Sequence, residues 1–209
     1  MRTAGVTLLF GGTQTASDDW REGLPDLPGE RLTLRELRPS DAGALFTVLR
    51  SPEVRPFMWA PPPNAAAFEQ FIEWARAQRA TGKYICYGIV PRGEVEAAGV
   101  FELRRQQPGF LRGELGFVMD PRLWGGGIFE EGARLVLNFA FDVVKVHRIE
   151  ARAATDNGRG NSALRKLGAR REGRLRAAFL RDEQYVDQYL WSILDSDWLR
   201  SSGPHPSER

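Results

Sequence analysis

The sequence has little cysteine or histidine, with one cysteine, Cys86, and two histidines, His147 and His205. A single cysteine cannot form a disulfide within the chain, and a structural zinc site needs several thiolates or imidazoles, so no metal is expected. No run of about 18 apolar residues is present, which argues against a transmembrane helix. The apolar patch at residues 6–10 is shorter than the roughly 7–15 residues of a secretory signal. These absences favour a cytoplasmic protein with no membrane partner.

Lysine is also scarce, with three lysines among 29 basic residues, and the net charge is only +2. The charge is nevertheless uneven, because residues 152–181 carry nine basic residues against two acids. A local positive field of this kind attracts a polyanion or a phosphorylated cofactor. An arginine-rich composition explains the same segment equally well.

The remaining composition is that of one ordinary globular domain, with 209 residues, 42% hydrophobic and 27% charged. Glycines and prolines interrupt residues 1–29, and the last residues are polar. We therefore expect an irregular leader over 1–29, a folded domain over 30–199 and a flexible tail over 200–209. The oligomeric state is left open, a homodimer included.

Hydrophobic periodicity predicts an α/β fold around a mixed, mostly antiparallel sheet of about seven strands with about four helices. The predicted strands cover 31–37, 84–90, 95–103, 114–119, 147–154, 170–180 and 184–194. The predicted helices cover 39–49, 64–79, 128–143 and 157–167. In the second helix, Phe68, Phe71, Ile72 and Ala75 fall at helical spacing and are interpreted as core.

The most informative segment reads RLWGGGI and runs from Arg122 to Ile128, after a predicted strand and before a predicted helix. Adjacent glycines let the backbone adopt positive φ and approach a ligand closely. Unpaired N–H groups at a helix start, together with the helix dipole, favour an anion there. The segment is neither a Walker loop nor a dinucleotide fingerprint, because the required lysine and glycine spacing are missing. It predicts a phosphate or pyrophosphate site, with a plain strand-to-helix connection as the alternative.

The segment also resembles a known signature. Arg122, Gly125 and Gly127 are similar to the (Arg or Gln)-x-x-Gly-x-(Gly or Ala) motif of the GNAT N-acetyltransferases. Residues 114–119 (ELGFVM) with 124–127 (WGGG), and then DN, KLGA and EG at 156–157, 166–169 and 172–173, resemble the RimJ/RimL-like branch. That branch acetylates ribosomal proteins at an N-terminal alanine or serine. The resemblance spans nearly the whole chain from about residue 29 to 198 and implies a single GNAT domain that uses acetyl-CoA.

The resemblance implies where acetyl-CoA binds. Its pantetheine arm would lie between two diverging strands, and its pyrophosphate would lie on the glycine loop. Asn157 matches the family asparagine, and it also reads as a helix cap. The cofactor residues implied in this way are Phe117, Val118, Met119, Arg122, Trp124, Gly125, Gly126, Gly127, Ile128, Asn157, Arg165 and Lys166.

The implied reaction is direct acetyl transfer to a neutral primary amine. A free α-amine has a pKa of about 8 and a lysine amine one near 10.4, so an α-amine needs only modest help from a base. Glu114, which matches the family's strand glutamate, is favoured as base or amine orienter, and Glu102 is the alternative. Each carboxylate could instead be paired with Arg104, Arg105 or Arg112.

The sequence departs from the family at the general acid. Leu164 stands where many relatives have a tyrosine, and Gly160 stands where the branch often has a serine. Ser162 lies two residues further on, and residues two apart on a helix do not share a face. A coenzyme A thiol has a pKa near 8.5, as in cysteine, so the thiolate can leave without a dedicated acid.

The acceptor is left open. The loop over 52–63 with Phe57, Met58 and Trp59 would form its pocket, and Tyr84, Tyr87 and Trp74 could line it, although all of them could also be core. A protein N-terminus, a ribosomal protein among them, competes with a small amine such as an aminoglycoside or amino acid. A non-catalytic acyl-CoA-binding module and RNA or ribosome binding through the basic segment are further alternatives.

Overall fold

A computed structural model describes residues 19–58 and 62–201. Within them, the chain forms one sheet whose strands are β1 (Leu27–Pro28), β2 (Leu32–Glu36), β3 (Tyr84–Pro91), β4 (Gly99–Arg105), β5 (Arg112–Met119), β6 (Arg148–Ala154), β7 (Arg170–Arg181) and β8 (Gln184–Leu194). The order across the sheet is β1-β2-β3-β4-β5-β6-β8-β7. The β5–β6 pairing is parallel, and the other pairings between these strands are antiparallel.

Helices cover both faces of the sheet. They are α1 (Ala42–Leu49), α2 (Ala65–Ala80), α3 (Ile128–Asn138), α4 (Gly158–Lys166) and α5 (Asp195–Ser201). Directly after α3, the chain continues as a wider π-helical segment over Phe139–Val144. The start of α2 is fixed by Asn64, whose side-chain oxygen accepts a hydrogen bond from the Ala67 amide at 2.8 Å. An asparagine is a preferred residue at this capping position.

Two hydrophobic clusters hold the helices on the sheet. One packs α3 onto one face through Phe101, Leu103, Leu115 and Val136. The other packs α1 and α2 onto the opposite face, where the described members include Leu45, Phe68, Ile72, Val100 and Val118. Successive side chains of a strand point to opposite faces, so Val100 and Phe101 enter different clusters. On α2, Phe68, Ile72 and Ala75 are buried as predicted, and Phe71 is partly buried.

The α/β prediction with a mixed, mostly antiparallel sheet is confirmed, and the differences lie in short elements. The described residues contain eight strands and five helices, because the two-residue β1 pairs with β2 and α5 follows β8. The strand predicted from residue 95 begins at Gly99. Its first residues instead form a loop whose Ala97 amide donates to buried Asp41, at 3.0 Å.

The predicted leader contributes to the core in its described part. Trp20 and Leu24 are buried, and Trp20 meets Phe110 edge to face at 5.9 Å between ring centroids. The Tyr87 hydroxyl donates to the Pro25 carbonyl oxygen at 3.1 Å. Residues 1–18 of the leader and 202–209 of the predicted tail lie outside the described residues, and the domain limits at 30 and 199 remain predictions.

Candidate functional site

A cleft of about 1780 Å³ opens where β5 and β6 separate. The two strands pair from Arg112 opposite Arg148 to Glu114 opposite Glu150, and β5 then continues to Met119 beside β4. Beyond Glu114, residues of both strands line the cleft, among them Phe117 on β5 and Ala153 on β6. The separation leaves space for a ligand between two strands of one sheet.

The edge of β5 that faces the cleft carries backbone groups that no other strand of the described residues pairs with beyond Glu114. The Asp120 amide donates to the Ala98 carbonyl beyond β4, and the Leu111 carbonyl accepts from Arg148 at the start of β6. Because backbone groups alternate sides along a strand, the N–H and C=O of Phe117 and Met119 point toward the cleft. Those of Val118 point toward β4. An extended arm with amide groups could therefore add to the sheet here, as the resemblance implies.

The glycine loop forms the end of the cleft. The Asp120 side chain accepts from the Arg122 amide at 2.9 Å and fixes a short turn over Pro121–Leu123. Gly125 and Gly127 have φ of 86° and 79°, a region that glycine adopts without strain. Gly127 is the cap of α3, so the unpaired amides of that helix start at this loop. These features together suit an anion such as a pyrophosphate.

Gly126 presents open space between these two residues. A Cβ built at Gly126 would meet no heavy atom within 4 Å, and its φ is outside the left-handed region. The loop therefore has room for a side chain at this position, between two glycines that line the cleft.

Trp124 and Arg159 join the two walls of the cleft. Trp124 is partly buried against both hydrophobic clusters. The Arg159 guanidinium, from the first turn of α4, lies 4.1 Å from the centroid of its ring, which is within cation–π range. Both residues line the cleft. The sequence predicted Trp124 as a site residue but not Arg159, because the pair joins segments that are distant along the chain.

Asn157 caps α4, and its side chain also explains Gly160. The Asn157 Oδ1 accepts from the Gly160 amide at 2.8 Å. A Cβ at Gly160 would lie 2.7 Å from the Asn157 Nδ2, so a larger residue would displace this amide group. Leu164 is buried in the core. Ser162 and Gly160 both line the cleft, so the expectation from helix spacing that the two residues face different surroundings is wrong.

Asn161 is a residue that the sequence reasoning missed. Its side-chain amide donates to the carbonyls of Ala154 and Asn157, each at 2.8 Å, and its oxygen accepts from the Trp191 indole at 2.9 Å. These bonds fasten the start of α4 to the end of β6 and to β8. The asparagine after the DN motif is the one local signal, because asparagine commonly bonds to nearby backbone.

The predicted phosphate cations differ in their placement. Lys166 lines the cleft, whereas Arg165 is exposed and is not among the described lining residues. The side chain of Arg122 is 66% exposed and binds Asp120 at 2.8 Å. A hydrogen bond with Asp120 raises the pKa of Arg122 above its usual value. A phosphate at the loop would compete with Asp120 for this guanidinium.

Glu114 lies at the point where β5 and β6 separate, and it is engaged on both oxygens. Arg152 on β6 donates to its Oε1 at 2.8 Å, and Gln106 donates to its Oε2 at 2.8 Å. The arginine partner is therefore Arg152 and not Arg104, Arg105 or Arg112, the three that were considered from sequence. The difference arises from the parallel pairing of β6, which brings a residue 38 positions away next to Glu114.

Glu102 lies on β4 directly opposite Gly116 of β5. A Cβ at Gly116 would be 2.5 Å from the Glu102 Oε1, so glycine is what allows this carboxylate to cross the neighbouring strand. The Tyr84 hydroxyl donates a hydrogen bond to the Oε2, and Arg104 is 3.7 Å from the Oε1. Burial raises the pKa of Tyr84 well above its usual value, and nearby Cys86 and Glu102 add to the shift. Tyr84 therefore stays protonated and acts as a donor to Glu102.

Aromatic residues form the wall of the cleft near Glu102. Phe57, Trp74 and Tyr84 line it together with Met58. Their contact with an acceptor stays a prediction. Tyr87 does not line the cleft, because its ring is fully buried on the opposite face of the sheet against Phe139. Trp59 of the same prediction lies outside the described residues.

Acidic partners neutralise much of the basic segment over 152–181. Within the described part of the chain, four of its nine cations form ion pairs: Arg152 with Glu114, Arg170 with Asp197, Arg174 with Asp187, and Arg181 with Asp156. Of the described basic residues in the segment, Arg159 and Lys166 line the cleft alongside Arg152. Arg159 and Lys166 therefore lie where a phosphorylated ligand in the cleft would meet them, while Arg165, Arg171 and Arg176 are exposed on the surface.

Over residues 19–58 and 62–201, no group of three or more His, Cys, Asp and Glu side chains is arranged to hold a metal ion. In the same part of the chain, the helices are too short or too polar to span a bilayer.

Known proteins share this sequence pattern and architecture. The family model described as Acetyltransferase (GNAT) domain matches residues 31–170. The uncharacterized N-acetyltransferase YoaA of Bacillus subtilis (strain 168) is 28% identical over 173 residues, which is 81% of this chain and 97% of that protein.

Two solved structures share the fold. The ribosomal-protein-S5-alanine acetyltransferase of Vibrio fischeri superimposes with a TM-score of 0.75 at 18% identity, and covers 83% of this chain and 98% of its own. The ribosomal L7/L12 alpha-N-protein acetyltransferase RimL, solved with coenzyme A, has a TM-score of 0.74 at 18% identity, with 83% of this chain and 99% of its own covered.

Proposed function

Because the chain belongs to the GNAT acetyltransferase family, we propose that it transfers the acetyl group of acetyl-CoA to the N-terminal α-amine of a protein. The observation that carries the proposal is the cleft between β5 and β6, which has an open strand edge, a glycine loop and a carboxylate in one continuous space. Ribosomal proteins are the proposed substrates, and the cytoplasm is the proposed location.

The residues present fit acetyl-CoA. The backbone groups of Phe117 and Met119 would bind the amides of its pantetheine arm. The amides of Gly125, Gly126, Gly127 and Ile128 would hold its pyrophosphate, with Arg122 and Lys166 adding charge. Trp124 and Asn157 would flank the arm from opposite walls. The cosubstrate supplies the acetyl thioester when it is bound.

The geometry favours Glu102 over Glu114 as the group that accepts the proton of the attacking amine. Glu114 is held by Arg152 and Gln106, whereas Glu102 accepts from the neutral hydroxyl of Tyr84 and has its nearest arginine nitrogen 3.7 Å away. In the reaction, the amine nitrogen forms a bond to the acetyl carbonyl carbon and the carbon–sulfur bond breaks. The amine proton goes to Glu102, directly or through water, and the thiolate leaves with coenzyme A.

The α-amine preference rests on the modest base that the cleft offers. A carboxylate is a weak base for a lysine amine near pKa 10.4, but an α-amine near 8 is already partly neutral at physiological pH. The ribosomal-protein acetyltransferases with the same fold support a protein N-terminus as acceptor. An aminoglycoside, a free amino acid or another small amine remains the competing acceptor class.

The experiment is an acceptor panel with thiol release and product mass as readouts. Peptides that begin with alanine or serine are compared with the same peptides blocked at the N-terminus and carrying a free lysine. An aminoglycoside and free alanine complete the panel. We expect acetylation of the free N-termini at a kcat/KM well above that of every other amine. Efficient acetylation of a small amine, with the peptides left unmodified, would overturn the N-terminal assignment.

Replacing Glu102 with glutamine is expected to lower kcat by about 100-fold at pH 7, the lower end for a lost base, because an α-amine needs little help. The KM for acetyl-CoA should stay near wild type. The rate should partly recover toward pH 9, where more of the amine is neutral. Steady-state kinetics with an alanine-terminal peptide measures all three.

The matched control is Glu114→Gln, which removes a carboxylate that Arg152 already neutralises. Its kcat should fall by only about 3-fold through the altered strand junction. A larger loss in Glu114→Gln than in Glu102→Gln would reassign the base to Glu114.

A further inference from the structure

A group of aromatic side chains continues from Glu102 out to solvent, and we name it the aromatic shelf: Phe57, Phe71, Trp74 and Tyr84. All four line the cleft. Trp74 stacks on Phe71 at 5.8 Å between centroids and lies 5.1 Å from the ring of Tyr84. Trp74 is 48% exposed and Phe57 is 37% exposed. Two large aromatic surfaces therefore face the open space of the cleft.

The position of Trp74 on α2 shows that it is not part of the helix–sheet core. The buried face of α2 is formed by Phe68, Ile72 and Ala75. Trp74 lies two residues after Ile72, and residues two apart do not share a helix face. Its ring is instead held by Phe71 and Tyr84. Exposed aromatic surface with a polar surround is typical of a binding site, because tryptophan and tyrosine offer large contact areas at little entropic cost.

The charges around the shelf favour a cation. The lining of this end of the cleft includes Glu53, Glu102 and Glu114 together with Arg104 and Arg152. Arg152 is bound to Glu114 at 2.8 Å. The charges that remain at this end are therefore the two carboxylates of Glu53 and Glu102 and the one guanidinium of Arg104. Toward the glycine loop, Arg159 and Lys166 provide positive charge, and Glu130, which also lines the cleft, is paired with Arg134 at 3.2 Å. An ammonium group is therefore attracted to the shelf end and a phosphate group to the loop end.

One side chain connects the shelf to the reacting carboxylate. Tyr84 packs its ring against Trp74 and donates its hydroxyl hydrogen to Glu102. An amine bound at Glu102 is therefore separated from the ring of Trp74 by about the length of one tyrosine side chain. Successive Cα atoms of a peptide are about 3.8 Å apart, so a side chain in either of the first two acceptor residues reaches the shelf.

From these contacts we infer that the acceptor carries an aromatic side chain in one of its first two residues, and that the aromatic shelf binds it while Glu102 faces the amine. The inference rests on the proposed function and specifies the substrate class of the same site. Stacking on Trp74 provides the selectivity, and Phe57, which lies between α1 and α2, offers a second exposed ring in the same cleft.

The test compares three tetrapeptide amides: Ala-Gly-Gly-Gly, Ala-Phe-Gly-Gly and Phe-Gly-Gly-Gly. The first two have the same reacting residue, so their ratio of kcat/KM reports the second side chain. For the wild type, we expect at least one phenylalanine peptide to exceed the glycine peptide by about 10-fold, the size expected for one aromatic contact. In Trp74→Ala the ratio should fall to about 2, and Trp74→Phe, which keeps a ring, should retain most of it.

The matched control is Tyr185→Ala on β8, because Tyr185 is 69% exposed and is not part of the cleft lining. Both kcat/KM values and their ratio should remain at wild-type level in this variant. Thermal melting of the tryptophan variants checks that they are folded.

The outcomes separate this inference from the proposed function. Equal rates for all three peptides would overturn the aromatic preference and leave N-terminal acetylation intact. Acetylation of 2-phenylethylamine with all peptides unmodified would overturn the protein acceptor, while a loss of that activity in Trp74→Ala would still support the shelf. A ratio unchanged in folded Trp74→Ala would overturn the role of the shelf.

Discussion

Replacing Gly126 with aspartate is expected to weaken acetyl-CoA binding by at least about 100-fold, because an introduced carboxylate beside a phosphate costs several kcal/mol. The position is suited to this test. A Cβ at Gly126 meets no heavy atom within 4 Å, so the aspartate itself fits the unliganded loop. The loss therefore reports the ligand and not a damaged fold. Isothermal titration with acetyl-CoA measures the change.

The control for this substitution is Gly126→Ala, which adds the Cβ without the charge. Because φ at Gly126 is outside the left-handed region, alanine is not strained there, and affinity should remain within about 3-fold of wild type. Gly125 and Gly127 do not offer such a control, since both have positive φ. If folded Gly126→Asp binds acetyl-CoA with unchanged affinity, the phosphate does not bind at the glycine loop.

Replacing Asp41 with asparagine is expected to lower the free energy of unfolding by about 3–5 kcal/mol, the cost of leaving a buried charge without its partner. Asp41 is fully buried, and its two oxygens each accept from Arg35 at 2.8 Å. They also accept from the amides of Arg38 and Ala97. One carboxylate therefore ties β2, the start of α1 and the loop before β4 together. Urea denaturation measures the change.

The control is Glu73→Gln on α2, whose exposed ion pair with Arg76 at 3.6 Å should contribute less than about 0.5 kcal/mol. The pH dependence gives a second check. Burial alone would raise the pKa of Asp41, but hydrogen bonds from Arg35 and the two amides outweigh it and lower the pKa. The stabilisation is therefore complete above the unfolded pKa of about 3.9 and is lost as the pH falls through the lower folded pKa. Equal losses in the two variants would contradict the role of Asp41.

Local signals in the sequence were sufficient for the fold and for the glycine loop. Each main strand and helix carries its own hydrophobic periodicity. A tight loop between a strand and a helix needs glycine because of its own backbone conformation, independent of distant contacts. For this reason Gly125 and Gly127 could be assigned before their positive φ was known. Asn64 and Asn157 behave as caps for the same local reason.

The carboxylates of the site could not be assigned in this way, because their partners depend on strand register. Glu102 was identified as a candidate, but its bond to Tyr84 and its passage over Gly116 require the β3–β4–β5 pairing to be known. Similarly, Arg152 reaches Glu114 only because β6 is parallel to β5. The sequence therefore favoured Glu114, the carboxylate of the recognisable motif.

Charge counting along the chain also exaggerated the basic segment. Its basic residues lie on β6, α4 and β7, and partners such as Glu114, Asp187 and Asp197 come from other elements. Burial of Trp20 was missed for a related reason, since its contact with Phe110 joins residues 90 positions apart in the chain. Contacts of this kind leave no pattern within a local window of sequence.

The central claim is that acetyl-CoA lies between β5 and β6 with its phosphates on the glycine loop. A backbone amide NMR titration of the full chain with free coenzyme A tests it most directly. The account predicts the largest shifts at residues 117–119, 125–128 and 157–160, and their loss in Gly126→Asp. Shifts concentrated outside the cleft, for example on β1, β2 or α5, with these residues unaffected, would contradict it.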